Sequence, residues 1–217
     1  MTVTPVPGSF RDPAGFVYRD GNKFYRALTH QVAESRLAEY TDGGTVPASL
    51  AAEGVTRILE LSAIPFISYP YEWSFRSLQK AASLQLDLLI EALDADLTFS
   101  DASAYNVQFK GPAPVFIDHL SVVPYRDGQF WTGHQQFCTQ FLNPLLLRAL
   151  VGIPHNAIYR GALEGITTAE LNHALPLSAK LSLSVLMHVV LPAKFEKSGR
   201  QNRIVQRDAA RRKLPKP

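Results

Sequence analysis

Residues 99–118 read FSDASAYNVQFKGPAPVFID, and this stretch decides the fold class. It opens on a loop that carries Asp101 and, five residues on, Asn106. Val107–Phe109 and Val115–Ile117 are short apolar runs of strand type, and Lys110-Gly111-Pro112 is a tight-turn signal between them. A second carboxylate, Asp118, follows the second run at once. The expected layout is loop, strand, turn, strand, with the hairpin carrying Asp118 back toward the loop.

Upstream, Ser77–Leu93 reads as a helix, with Leu78, Ala82, Leu86, Leu89, Ile90 and Leu93 as its apolar stripe. The chain before it is rich in strand and turn signals. Phe16–Arg19 and Lys23–Ala27 flank Asp20-Gly21-Asn22 and predict a hairpin. Gln31–Tyr40 reads as a short amphipathic helix ended by Asp42-Gly43-Gly44. A helix near Pro47–Glu53 and a strand over Val55–Leu61 follow, and then a strand over Pro65–Tyr69. Downstream, Gln135–Leu150 is helical, and Pro144 within it should break or start a helix. Thr167-x-x-Glu170 is a capping box for a helix through His173, Pro176 ends it, and Lys180–Val190 resumes. Strands come first and helices last, so the fold class is α+β in two lobes rather than an alternating βαβ sheet. The expected division is a strand-rich lobe over 1–70, a helical lobe with the loop over 71–193, and a basic tail or linker over 194–217.

With 46% hydrophobic and 19% charged residues in 217, the chain can bury a core, and disorder is not its default. Its lone cysteine, Cys138, excludes an internal disulfide framework and suits a reducing, cytoplasmic setting. Among Phe137, Phe141 and Leu142 it reads as a small buried apolar residue. The start of the chain lacks a signal-peptide pattern, and Leu181–Leu191 is too short and too interrupted to span a bilayer. The net charge of +3 hides a split: residues 194–217 hold nine Lys/Arg against two acids, a net of +7. The other 193 residues hold 13 basic and 17 acidic side chains, a net of −4. Such a tail could bind nucleic acid, with steep salt dependence. Without interleaved aromatics beyond Phe195 it reads instead as a solvated terminus.

Phosphoryl transfer has a use for the central spacing. One loop carboxylate orients or deprotonates an acceptor hydroxyl, an amide oxygen five residues on binds Mg²⁺, and a second carboxylate holds the metal from the other side. In this layout the segment resembles the catalytic loop and metal-binding Asp of the protein-kinase-like superfamily, especially its small-molecule kinases. The resemblance implies a two-lobed kinase-like fold that takes Mg²⁺ and ATP with a small hydroxyl-bearing substrate. It implies Asp101 as catalytic base and Asn106 and Asp118 as metal ligands. Around the nucleotide it implies Arg26 where that superfamily uses a lysine, Glu34 as its ion-pair partner, and Tyr69 and Glu72 in the segment that joins the lobes. The departures are Arg26 itself, the degenerate loop Arg11-Asp12-Pro13-Ala14-Gly15, and Phe99-Ser100 before Asp101.

PFISYPYEWSF (65–75), DASAYNVQF (101–109) and FIDHLS (116–121) are also similar to the N-terminal region of NoeA-type nodulation proteins. That family is described as SAM-dependent methyltransferases, with the methyltransferase domain following this region. A SAM site is not expected here, since no methyltransferase glycine signature follows a strand. The resemblance implies a second reading, a catalytically silent substrate-binding or scaffold module that works with a methyltransferase domain or partner. Other candidates are weaker. Tyr69, Tyr71, Trp73 and Phe75 read as aromatic packing, in which Glu72 needs a partner. His119 reads as structural, pointing away from Asp118 by strand alternation. His134, His155, His173 and His188 lack metal-ligand spacing. No G-x-S-x-G frames any serine.

Overall fold

The computed structural model describes residues 4–6, 15–29 and 40–195. The chain forms two compact units, Met1–Gln135 and Gln136–Pro217. It is a mixed α+β protein, and no described helix is long and apolar enough to cross a membrane.

The first unit begins with a five-stranded antiparallel sheet. Its strands are β1 (Thr4–Pro5), β2 (Gly15–Asp20), β3 (Lys23–Leu28), β4 (Tyr40–Asp42) and β5 (Arg57–Leu61), in the order β1-β2-β3-β5-β4. The Asp-Gly signal is realised as a two-residue turn in which Gly21 takes φ +59°. Register puts Tyr18 opposite Tyr25 and Ala27 opposite Phe16 and Ile58. These side chains share one face and form a core with Leu50 of helix α1 (Ala48–Ala52) and Val55. The opposite face carries Val17, Arg26 and Leu59, directly paired across three strands.

The structure departs from the sequence expectation at three places. Tyr40 lies in β4 and pairs with Leu61, so it does not close a helix; residues 30–39, with Glu34, lie outside the described residues. Pro65–Tyr69 is not a strand. Pro65 and Pro70 bring no N–H to a ladder, and Ser68 and Tyr69 have their backbone groups bonded by side chains instead. The helix α2 (Phe75–Asp94) is present, capped by Ser74, whose Oγ accepts from the Ser77 N–H at 3.1 Å. Its buried face, however, is Leu78, Ala81, Ala82, Gln85, Leu88 and Ala92, while Leu86, Ile90 and Leu93 are exposed.

After α2 come β6 (Leu97–Phe99), a 3₁₀ turn (Ala104–Asn106), β7 (Val107–Lys110), β8 (Ala113–Phe116), a second 3₁₀ turn (His119–Ser121) and β9 (Val122–Pro124). β6 pairs with β9 and β7 with β8, both antiparallel. The first pair encloses the second.

The second unit is helical. A turn of π-helix, Cys138–Leu142, leads into α4 (Asn143–Val151), entered through Pro144 where proline is tolerated; α3 (His134–Phe137) precedes it. α5 (His155–Tyr159) follows, and then α6 (Thr168–Ala174) with the full capping box: Thr167 Oγ1 accepts from Glu170 N–H and Glu170 Oε2 accepts from Thr167 N–H. α7 (Leu177–Lys180), α8 (Leu183–Val185) and a second π turn (Leu186–Val190) complete it. Leu147, Ile166, Leu171, Leu175, Val185 and Val189 form its core, and Cys138 is buried as expected.

Candidate functional site

Asp101 sits in the loop after β6 and caps its own turn, its Oδ1 accepting the Ser103 N–H at 2.7 Å. Ser103 Oγ then accepts from Tyr105 N–H, and Asn106 N–H donates to the Ser103 carbonyl at 3.0 Å. This chain of local bonds presents Asn106 at the mouth of β7. The β7–β8 pairing runs from Lys110 opposite Ala113 to Val107 opposite Phe116, with Gly111 at φ +59° making the turn. Ile117 N–H donates to the Asn106 carbonyl at 2.9 Å, which adds one rung beyond the strands. At that base the two predicted metal-binding side chains meet: Asn106 Nδ2 donates to Asp118 Oδ2 at 3.1 Å. Asp118 Oδ1 accepts from the Leu120 N–H at 3.2 Å, capping the second 3₁₀ turn.

The enclosing pair holds both ends of this segment. Phe99 lies opposite Val122, and both the N–H and the hydroxyl of Ser100 donate to the Ser121 carbonyl at 2.8 and 3.1 Å. A further segment, which sequence reading missed, straps the Asp101 loop from outside. Trp131 Nε1 donates to the Phe99 carbonyl at 3.1 Å, and Thr132 Oγ1 lies 3.3 Å from the carbonyls of Phe99 and Ser100. A Cβ at Gly133 would stand 2.8 Å from that of Ala102, so only glycine allows this approach. Nothing in the order of these residues announces a contact some 32 positions away.

Arg26 projects from the sheet face opposite the first core, and its positive charge acts on His119, the residue after Asp118. His119 is buried, in a turn and not in a strand, so the alternation argument does not apply to it. Burial first, and Arg26 second, push its pKa down to about 4, against a raising hydrogen bond with the Ile117 backbone. Lys23, the nearby lysine, is engaged by Glu60 of β5, with Nζ 2.8 Å from Oε1 and 3.0 Å from Oε2. Among the described residues no three His, Cys, Asp or Glu side chains converge as a metal cage.

The segment between β5 and α2 is fastened to β7. Gln108, buried, receives the Ser68 N–H on Oε1 and donates from Nε2 to the Ser68 carbonyl, both at 3.0 Å. Trp73 Nε1 donates to Ser68 Oγ at 2.9 Å, and its ring meets Phe109 edge-on at 5.1 Å. Glu72 finds its partner in the Tyr69 N–H, 2.8 Å from Oε2, and Tyr69 stacks on Tyr71. Glu72 and Tyr69 thus close one turn together. Gln108→Met keeps the volume and strands both Ser68 backbone groups, so it should cost about 3 kcal/mol. Urea unfolding followed by Trp fluorescence measures it, and a loss below about 0.5 kcal/mol would mean that the Ser68 groups find other partners.

No protein-family model matches the chain. The nodulation protein NoeA of Rhizobium meliloti (strain 1021) is 41% identical to it along 97% of this chain. The chain spans 48% of that protein's length. The likeness supports the NoeA-type relationship read from the three motifs.

Proposed function

We propose that the first unit binds a Mg²⁺–nucleotide at Asn106 and Asp118 and uses Asp101 to phosphorylate a small hydroxyl-bearing substrate. The observation that carries this reading is the Asn106–Asp118 contact at 3.1 Å, with Asp101 on the loop that leads into the same hairpin. The donor set fits the metal: one amide oxygen and one carboxylate are hard oxygen ligands, and Mg²⁺ is commonly held by one or two protein groups plus phosphate oxygens. When bound, the ion would neutralise charge on the transferring phosphoryl group.

The protein's own part is positioning. The β7–β8 ladder fixes Asn106 and Asp118 relative to each other, so little ordering is left for the moment of binding. Asp101 has one oxygen tied to Ser103 N–H and the other available to take the acceptor's proton. Arg26 supplies a permanent cation beside the Asp118 turn, as a planar fork rather than a lysine's point charge.

A specific observation favours the second reading, a silent module that serves a methyltransferase domain or partner. Arg26 stands where an active enzyme of the resembled superfamily would place lysine, and Lys23 is engaged elsewhere. Thermal unfolding with Mg²⁺ and ATP, and GTP in parallel, separates the two. Nucleotide at about 100 times its dissociation constant should add roughly 2.7 kcal/mol, lost in Asp118→Ala. No shift with either nucleotide leaves the silent module.

A further inference from the structure

Away from the Asn106–Asp118 pair, α2 and the far end of the β7–β8 hairpin border a shallow, open groove of about 600 Å³. One wall is a helical stripe of Arg76, Lys80, Ser83 and Asp87, at the i, i+4, i+7, i+11 spacing that places side chains on one face. The other is the turn Pro112–Pro114. Arg76 and Lys80 are a like-charge i, i+4 pair, which works against an isolated helix. Among the described residues Arg76 has no hydrogen-bond or ion-pair partner. Asp87, seven residues beyond Lys80 and about 10 Å further along the axis, lines the same groove, and among the described residues no ion pair joins it to either cation. Glu72, one turn before Arg76, is engaged by the Tyr69 N–H. Lys80 is already held, donating to the Pro112 carbonyl at 3.0 Å, which orients its ammonium toward the groove wall.

We infer that this groove is a binding site for a phosphomonoester. The guanidinium of Arg76 offers two parallel donors, the Lys80 ammonium keeps donors beyond the one given to Pro112, and the Ser83 hydroxyl adds a neutral one. That set matches a terminal phosphate with several acceptor oxygens, while Pro112, Pro114 and Leu84 face the organic part. The site is independent of the nucleotide reading, since none of its residues belongs to the Asn106–Asp118 pair.

The test is calorimetric titration of the full chain with phenyl phosphate, without Mg²⁺ and at low salt. Phenylacetate and benzyl alcohol serve as the carboxylate and neutral controls. Phenyl phosphate should bind, and Arg76→Gln or Lys80→Gln should each weaken it about tenfold, the loss expected for one charge-assisted hydrogen bond. Both positions are exposed, so both variants should remain folded; Arg76→Gln should leave the unfolding curve close to the parent's, and Lys80→Gln should shift it by no more than the one surface bond to Pro112. Asp118→Ala should leave the affinity unchanged. Three results would overturn the inference: no binding, binding indifferent to both Gln variants, or binding lost in Asp118→Ala instead. Equal affinity for the carboxylate would overturn the phosphomonoester assignment.

Discussion

Gly165→Ala should destabilise the second unit by about 4 kcal/mol. Gly165 takes φ +83°, and a methyl group there would press into the Thr139 carbonyl oxygen inside van der Waals contact. The left-handed backbone alone costs an alanine about 1–2 kcal/mol. The clash adds about 1–3 kcal/mol, because the obstacle is backbone in the Cys138–Leu142 turn. That carbonyl cannot step aside cheaply, since it accepts the Ile166 N–H at 2.9 Å, and Asn143 Nδ2 holds the Ile166 carbonyl at 2.8 Å. Gly152→Ala is the internal control: φ is +81°, and nothing lies within 4 Å of the added carbon. It should show the conformational cost only. Hydrogen exchange over residues 136–195 reads both variants, and equal losses at the two positions would remove the Thr139 contact from the account.

Acid should weaken the first unit through His119 in metal-free buffer. Its folded-state pKa of about 4 lies below the ordinary 6.5, so the unfolded chain binds the proton first. Stability is therefore complete above pH 6.5 and is lost as pH falls toward 4, by up to about 3 kcal/mol in all. The physical cause is burial, reinforced by Arg26. His119→Gln should flatten this limb: the difference in unfolding free energy between pH 7 and pH 4.5 should shrink by about 2 kcal/mol relative to the parent. Arg26→Gln should raise the imidazole pKa seen by NMR titration. Identical pH slopes in parent and His119→Gln would show that other groups govern the acid limb.

Local signals in the sequence were sufficient for features closed by near neighbours. Asp20-Gly21 and Gly111-Pro112 mark turns because few residues tolerate their backbone, and both hairpins form with the expected pairing. Thr167 and Glu170 satisfy each other within one turn, so their box was legible. From the hairpin it followed that Asn106 and Asp118 would meet, and they do. Features set by distant contacts were not legible. Periodicity located α2 but misassigned its face, because Leu86, Ile90 and Leu93 satisfy the same spacing as the true inner row. That row includes Gln85, whose buried amide has no hydrogen-bond partner among the described residues. A pattern of apolar residues cannot find a buried glutamine. The 65–69 segment looked like a strand by composition, yet its polar backbone is bonded by Gln108, forty residues on. The pairing of β6 with β9 and the strap at Trp131–Gly133 depend on the same kind of remote contact.

The hairpin that carries Asn106 and Asp118 has one more consequence, for how this chain can change in length. Its two ends answer to different rules. At the base, a single deletion in either strand would reverse the facing of every residue beyond it and separate the pair. At the tip, between Lys110 and Ala113, added residues leave the paired rungs untouched and reshape only the wall of the α2 groove. Insertions at the tip can therefore tune what the groove admits while the contact at the other end stays as it is.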